Sequence, residues 1–361
     1  MYLCTNFLES ITLNMKKYYL ITTLCLLCTL LLCCTSCHRK DKIKHPTLTK
    51  EQKANVRNVH ISVYRYEKAL FSLDVNHLDE GVAKLYGQVP DNLIAKDVWK
   101  DPKMMRSLKG YLTDPVIREV YKATAKEYPD MKDIEQQLTD AFKIYLTHFP
   151  NASVPQIYTL VPGLDFSMPS VYGYANNLFI NLDMYLGKDY KYYSAAGMPK
   201  FISARCDKKY LATDCFYKGL VYRHLPDKTL LIVLDNMVYE GKKLYFTQTM
   251  FPEVSEQDII GYTDAKYKWA VKREADVWQY MIEKNILYSK DEDNVRKFVE
   301  ETPFTPTFGN ESPGRMGSYI GWKIVQNYMH NHPEVTLDEL MKNTNAQQIL
   351  TDSYYKPTLK K

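Results

Sequence analysis

Residues 156–161 read Gln156-Ile157-Tyr158-Thr159-Leu160-Val161, and residues 178–182 read Leu178-Phe179-Ile180-Asn181-Leu182. Both are short runs of β-branched, aromatic and aliphatic residues. With Pro162-Gly163 after the first and Gly187 after the second, they predict strands. Between them, Tyr172, Gly173 and Tyr174 with Asn176-Asn177 predict a turn or a third strand. Just upstream the period is different. Ile134, Leu138, Ala141, Phe142 and Tyr145 recur at helical spacing, and the pattern stops before Phe149-Pro150. The switch of period sets the fold class: α+β, predominantly helical, a single domain with a small sheet of two to four strands embedded among helices.

Downstream, Pro226-Asp227 is expected to open a helix with Asp227 as N-cap, and with Leu230, Leu234, Met237, Gly241 and Leu244 along one face. Ser255-x-x-Asp258 marks a further helix start. Val271, Ala275, Trp278 and Ile282 form the stripe of the helix after it. Thr336-x-x-Glu339 is a capping box for a short C-terminal helix.

The chain has 361 residues, 45% hydrophobic and 25% charged, which is ordinary globular usage and enough to bury a large core. Thirty tyrosines, 13 phenylalanines and four tryptophans exclude intrinsic disorder. The mean hydropathy of −0.38, with one apolar stretch near the N-terminus, excludes a multi-span membrane protein. The net charge of +5 is spread along the chain with no basic run to track a phosphate backbone, so nucleic acid is not an expected partner.

Near the N-terminus, Met15-Lys16-Lys17 precedes an apolar run from Tyr18 to Leu32, then Cys33-Cys34-Thr35-Ser36-Cys37. Two lysines, an apolar run and a small residue before a cysteine make a bacterial lipoprotein signal, with Met15 the expected start and Cys37 the expected lipid-bearing residue. Cys34 stands where an aliphatic residue is usual, leaving Cys33 and Cys34 as secondary sites. The alternative is an uncleaved membrane anchor. Either way the rest of the chain lies outside the cytoplasm. The expected organisation is a signal peptide over 1–36, a lipidated cysteine and flexible tether over 37–56, and a globular domain over 57–361. Lipid at the N-terminal cysteine would anchor it in the cell envelope, in either membrane, facing the periplasm. Beyond Cys37 only Cys206 and Cys215 remain. Nine residues apart in an exported chain, they are expected to close a short disulfide loop, the other possibility being two free thiols.

Catalytic signals are weak. No histidines are spaced as in HExxH, and no nucleophile elbow, P-loop or dinucleotide fingerprint is present. Three side-chain groups stand as minor candidates. His330-x-His332 lies at a helix end. His224, Asp235 and Glu240 flank or lie on one helix. Asp165 and Asp183 sit just after the two strand candidates, where a carboxylate pair can do acid–base work. No cofactor or metal ion is expected. The most distinctive internal stretch is Asn310-Glu311-Ser312-Pro313-Gly314-Arg315-Met316-Gly317, running on through Gly321-Trp322. Ser312 is its expected N-cap and Pro313 its first-turn residue. Gly314, Gly317 and Gly321 then form a side-chain-free stripe, for close packing or for a docking partner, with Glu311 and Arg315 placed to pair or to reach that partner.

Several of these segments resemble the gliding motility lipoprotein GldB family of Bacteroidetes. They are Ile61 to Phe71 (ISVYRYEKALF), the strand ending Leu182-Asp183-Met184-Tyr185-Leu186-Gly187, Met237 to Phe246 (MVYEGKKLYF), and Asn310 to Arg315 continuing through Gly321-Trp322. The resemblance implies a cell-envelope lipoprotein associated with gliding and its linked secretion machinery. It also implies distant kinship with zincin-like proteases whose HExxH helix is absent here. The resulting expectation is a non-enzymatic, lipid-anchored protein that binds envelope partners. Two other readings stand beside it: an unconventional zinc peptidase using His224, Glu240 or the His330/His332 pair, and a glycan-binding lipoprotein suggested by the tyrosines.

Overall fold

The two predicted strands lie side by side in one sheet. In the computed structural model, which describes residues 50, 56, 58–227 and 229–358, β1 (Val63–Tyr64), β2 (Gln156–Leu160), β3 (Val171–Tyr174) and β4 (Asn177–Asn181) pair in the order β1-β2-β4-β3. β1, β2 and β4 are parallel, and β3 lies antiparallel along β4. The leader and Cys37 lie outside the described residues, all of which fall within one compact unit, Lys44–Lys361.

β2 and β4 are buried along almost their whole length, as strands covered on both faces must be. Alternation then divides their side chains between two cores. Ile157, Leu178, Ile180 and Val171 enter the larger core. Tyr158, Leu160 and Phe179 enter the smaller one.

A parallel pair needs a long crossover. Between β1 and β2 it holds α1 (Tyr66–Phe71), α2 (Leu78–Tyr86), α3 (Pro102–Thr113), α4 (Pro115–Glu127) and α5 (Lys132–His148). Asp101 and Asp114 cap α3 and α4 by accepting N–H groups of the first turn, each followed by proline at the first helical position. α5 is the helix predicted upstream of the strands, and Ile134, Leu138, Ala141, Phe142 and Tyr145 are its buried stripe.

After β4 come α6 (Lys191–Ala195), α7 (Lys200–Ser203), α8 (Leu211–Asp214) and a π-helical turn, Cys215–Leu220, that lies on the sheet. Gly219 within that turn leaves no room for a β-carbon, which would stand 2.4 Å from the Leu178 methyl Cδ1. The rest is helical: α9 (Val233–Met250), α10 (Glu256–Ile260), α11 (Asp264–Glu283), α12 (Glu292–Phe298), α13 (Met316–Asn331), α14 (Leu337–Lys342) and α15 (Ala346–Asp352). No helix among the described residues is long and apolar enough to cross a membrane.

Three local expectations are corrected. α9 begins at Val233, six residues beyond Asp227, because Asp235 reaches back to accept the N–H groups of Leu231 and Ile232 and so caps the helix from inside. On α11 the buried residues are Ala270, Ala275, Val277 and Met281; of the expected stripe Ala275 is buried, Val271 and Trp278 are half-buried, and Ile282 is exposed. The inner face there carries Glu274, which accepts from the Tyr319 and Tyr355 hydroxyls, so the apolar pattern alone misplaces it. α13 begins at Met316, not at Pro313. Ser312 is fully buried and ties its own loop, accepting from Thr305 N–H and donating to Gly309 O at 2.7 Å. The capping roles of Ser255 and of Thr336 with Glu339 are as the sequence indicates.

Candidate functional site

Arg315 organises a polar cluster that reaches from the interior to the partly exposed Glu301. It occupies the N-cap position of α13 in the left-handed region, φ 58°, a strained setting for a residue with a β-carbon. Arg315 as a whole is 6% exposed. Nη1 donates to Glu301 Oε1 at 3.0 Å, and Nη2 donates to the Tyr217 hydroxyl and lies 3.4 Å from Glu240 Oε2. Glu240, on α9, is held from its other side by Lys243 Nζ at 2.8 Å and accepts from Tyr217 Oη at 2.7 Å. Lys243 in turn lies over the rings of Tyr217 and Tyr222 and donates to the Tyr222 hydroxyl.

A second group adjoins it. Asp214 is fully buried and accepts from Arg205 Nη2, Lys218 Nζ and Tyr185 Oη, each at 2.8 Å. Four cations, Arg205, Lys218, Lys243 and Arg315, thus face three carboxylates, Asp214, Glu240 and Glu301. Burial pushes all three carboxyls up, but the neighbouring cations outweigh it and hold each below the usual carboxylate range. Every carboxylate is therefore ionised and already engaged. The cluster clamps α8, the π-helical turn, α9 and the start of α13 to one another, and offers no free base or nucleophile.

The glycines flanking Arg315 are packing positions. Gly314, Gly317 and Gly321 are all buried. A β-carbon on Gly314 would stand 2.0 Å from Thr302 O, one on Gly317 2.8 Å from Phe298 O, and one on Gly321 1.8 Å from Met237 O. Gly241 on α9 faces Gly321 on α13 backbone to backbone. No partner can dock on that stripe, and Arg315 is likewise inaccessible. Glu311 is exposed and stands apart from Arg315, whose partners are Glu301, Glu240 and Tyr217.

The other sequence candidates do not converge. His224 Nε2 lies 2.9 Å from the Tyr145 hydroxyl, its ring stacks on Phe149, and burial pushes it down to about 4. Asp235 caps α9, and Glu240 belongs to the Arg315 cluster. His332 lies between Glu334 and the Asp352 carbonyl at the end of α13. Asp165 closes its own turn through Ser167. Asp183 is fully buried and accepts the N–H groups of Gly163 at 2.9 Å and Leu164 at 2.7 Å, with its other oxygen unpartnered. Burial pushes its carboxyl up to about 6. Among the described residues no group of three or more His, Cys, Asp and Glu side chains is placed to hold a metal ion.

The predicted Cys206–Cys215 disulfide is absent; both thiols are free and buried. Cys206 turns toward Met198 and the Ile202 carbonyl, while Cys215 opens the π-helical turn and points into the larger core. Sequence reasoning did not find Tyr217, Glu301, Lys243, Arg205 or Asp214, because the partners of Arg315 are brought in from distant elements. The one usable signal was an arginine inside a glycine-rich stretch.

These features define an α+β domain built on a small mixed sheet, with Arg315, Glu240, Lys243 and Tyr217 joined in an internal polar cluster. The chain belongs to the family of gliding motility protein GldB, whose family model matches residues 49–357 and so spans the described domain. No curated protein and no solved structure matches it.

Proposed function

We propose that this protein is a lipid-anchored component of the bacterial cell envelope. It serves gliding motility and the linked protein secretion machinery by binding partner proteins rather than by catalysis. The observation that carries this reading is the family match over residues 49–357. The lipoprotein-type leader ending at Cys37 supports the anchor. The engagement of Glu240, Asp214 and Glu301 by buried cations supports a binding role, since these carboxylates are not available as bases.

The test is a deletion strain complemented with the native gene or with Cys37→Ala. Deletion is expected to abolish gliding, or secretion in a non-gliding host. Cys37→Ala is expected to leave the membrane fraction and to fail in complementation. A deletion without effect on either process overturns the reading, and so does stoichiometric zinc in protein purified with zinc supplied. Cys37→Ala that stays membrane-bound overturns the lipid anchor in favour of an uncleaved one.

A further inference from the structure

The parallel strands β1, β2 and β4 point their carboxyl ends to one edge of the sheet, the place where open α/β sheets receive ligands. A cavity of about 260 Å³ lies there, formed by the residues after β1 and β2 together with α1 and α3. Its walls include the aromatic rings of Tyr66, Phe71, Tyr111 and Tyr172, and its polar groups include Glu67 and Asn92. Asn92 is exposed, which puts the mouth on its side, while Glu67 at the base is 1% exposed.

The polar chemistry of this pocket is incomplete. Glu67 accepts from Arg65 Nε on one oxygen and from the Thr159 hydroxyl on the other, and a carboxylate has about four acceptor sites, so two are left. The hydroxyls of Tyr66 and Tyr172 have no hydrogen-bond partner among the described residues. Four buried polar atoms at this edge also lack partners: Arg65 Nη2 behind Glu67, Asn181 Oδ1 and Asp183 Oδ1 at the end of β4, and the Tyr190 hydroxyl. Buried polar atoms are normally satisfied, and of these only Arg65 connects to the pocket, through its ion pair with Glu67.

The geometry points to a binding site for a single sugar ring. A carboxylate ligand only accepts and would meet Glu67 without a proton to share, whereas this pocket presents acceptors on Glu67 alongside hydroxyls and an amide that both donate and accept. Adjacent hydroxyls on one ligand meet that requirement. The apolar faces of the ring would lie on the tyrosines and Phe71. The volume is below the ~300–1,000 Å³ of drug-sized sites, as one ring requires. The inference is independent of the gliding role. It rests on three tyrosines at one pocket, not on the abundance of tyrosine in the chain, much of which is core: Tyr128, Tyr145, Tyr185, Tyr193 and Tyr319 are fully buried.

The test is saturation-transfer NMR and calorimetry on the purified full chain in detergent. The probes are glucose, galactose, N-acetylglucosamine and chitotriose, with benzyl alcohol as apolar control. At least one sugar is expected to bind one to one. Tyr66→Phe and Tyr172→Phe, which remove only a hydroxyl, are each expected to weaken it about five- to tenfold. Met168→Trp, which fills the cavity, is expected to abolish it. Tighter binding of chitotriose than of the monosaccharide marks the end of a glycan as the ligand, and equal or weaker binding marks a free sugar. Binding of benzyl alcohol alone, binding of no sugar, or sugar binding unmoved by the three variants overturns the proposal. Unchanged circular dichroism of each variant separates loss of the site from loss of the fold.

Discussion

Gly321 and Met237 meet so closely that a β-carbon on Gly321 would lie 1.8 Å from the Met237 carbonyl oxygen. With Gly241 facing Gly321, the backbones of α9 and α13 touch where they cross, and that crossing sets the position of Arg315 at the head of α13. Gly321→Ala is expected to destabilise the domain by about 3 kcal/mol or more, the cost of overpacking against main chain that cannot move aside. Gly110→Ala, on the exposed face of α3 with nothing near its β-carbon, is expected to stabilise by about 0.5–1 kcal/mol. Urea unfolding of both variants checks the contrast, and equal effects would show that the α9–α13 crossing is not tightly packed.

The Arg315 cluster makes a second prediction. Arg315→Lys keeps the charge but loses the two-pronged contact with Glu301 and Tyr217, and is expected to cost about 2 kcal/mol, chiefly by leaving the buried Tyr217 and its neighbour Glu240 underpaired, since Glu301 is itself partly exposed. Glu240→Gln also destabilises, and the double variant should cost less than the sum of the two. A double-mutant cycle by chemical denaturation measures this, and simple additivity would contradict a shared network.

Burial pushes the Cys206 thiol up to about 12 and the Cys215 thiol higher still, so neither is a thiolate at neutral pH. Both are expected to resist iodoacetamide in the native protein and to react in full once it is unfolded in urea without reductant. Peptide mapping by mass spectrometry reads the outcome directly, and a peptide linking the two cysteines would refute it.

Asp183 titrates near 6 when folded and near 3.9 when unfolded, so the native state holds its proton more tightly. Its contribution to stability is full below about pH 4 and is lost as pH rises through about 6. Asp183→Asn, a mimic of the protonated form that can still accept from Gly163 and Leu164, is expected to stabilise by about 2 kcal/mol at pH 7.5 and to change little at pH 4. Melting curves across that range test the sign.

Histidines work in the opposite direction. His148 and His224 are both pushed down to about 4 by burial, so the unfolded chain takes up their protons first as pH falls from about 6.5. Their contribution is present above that pH and is lost between about 6.5 and 4. Replacing His224 by Phe, which keeps the stacking with Phe149, is expected to shallow the acid limb of the stability curve, and an unchanged slope would count against it.

How far the sequence could be read depends on how locally each feature is encoded. α5 was legible because its apolar residues repeat at helical spacing, β2 and β4 because each is a continuous run of β-forming residues with glycine or proline beyond it, and the capping boxes because donor and acceptor lie three apart. The starts of α9 and α13 were misread because Asp235 caps from within and Ser312 serves its own loop. The glycines signalled close approach without saying what they approach. The Arg315 cluster was illegible for a different reason: Tyr217, Glu240 and Glu301 are 98, 75 and 14 residues away, and only the packed helices bring them to one point. The free state of Cys206 and Cys215 likewise depends on where two separate turns direct their thiols.

Because β2 and β4 serve as a party wall between two cores, their register is specified from both sides at once. On a sheet with one wet face, a slip by one residue exposes apolar side chains and buries polar ones. Here a slip of β4 would send Phe179 into the space shaped for Leu178 and Ile180, and return those two to the hollow left by an aromatic ring. Neither core could accommodate the exchange. A single-residue insertion or deletion within β4 would force that exchange, so the strand edge beside the Glu67 pocket takes its alignment from both cores.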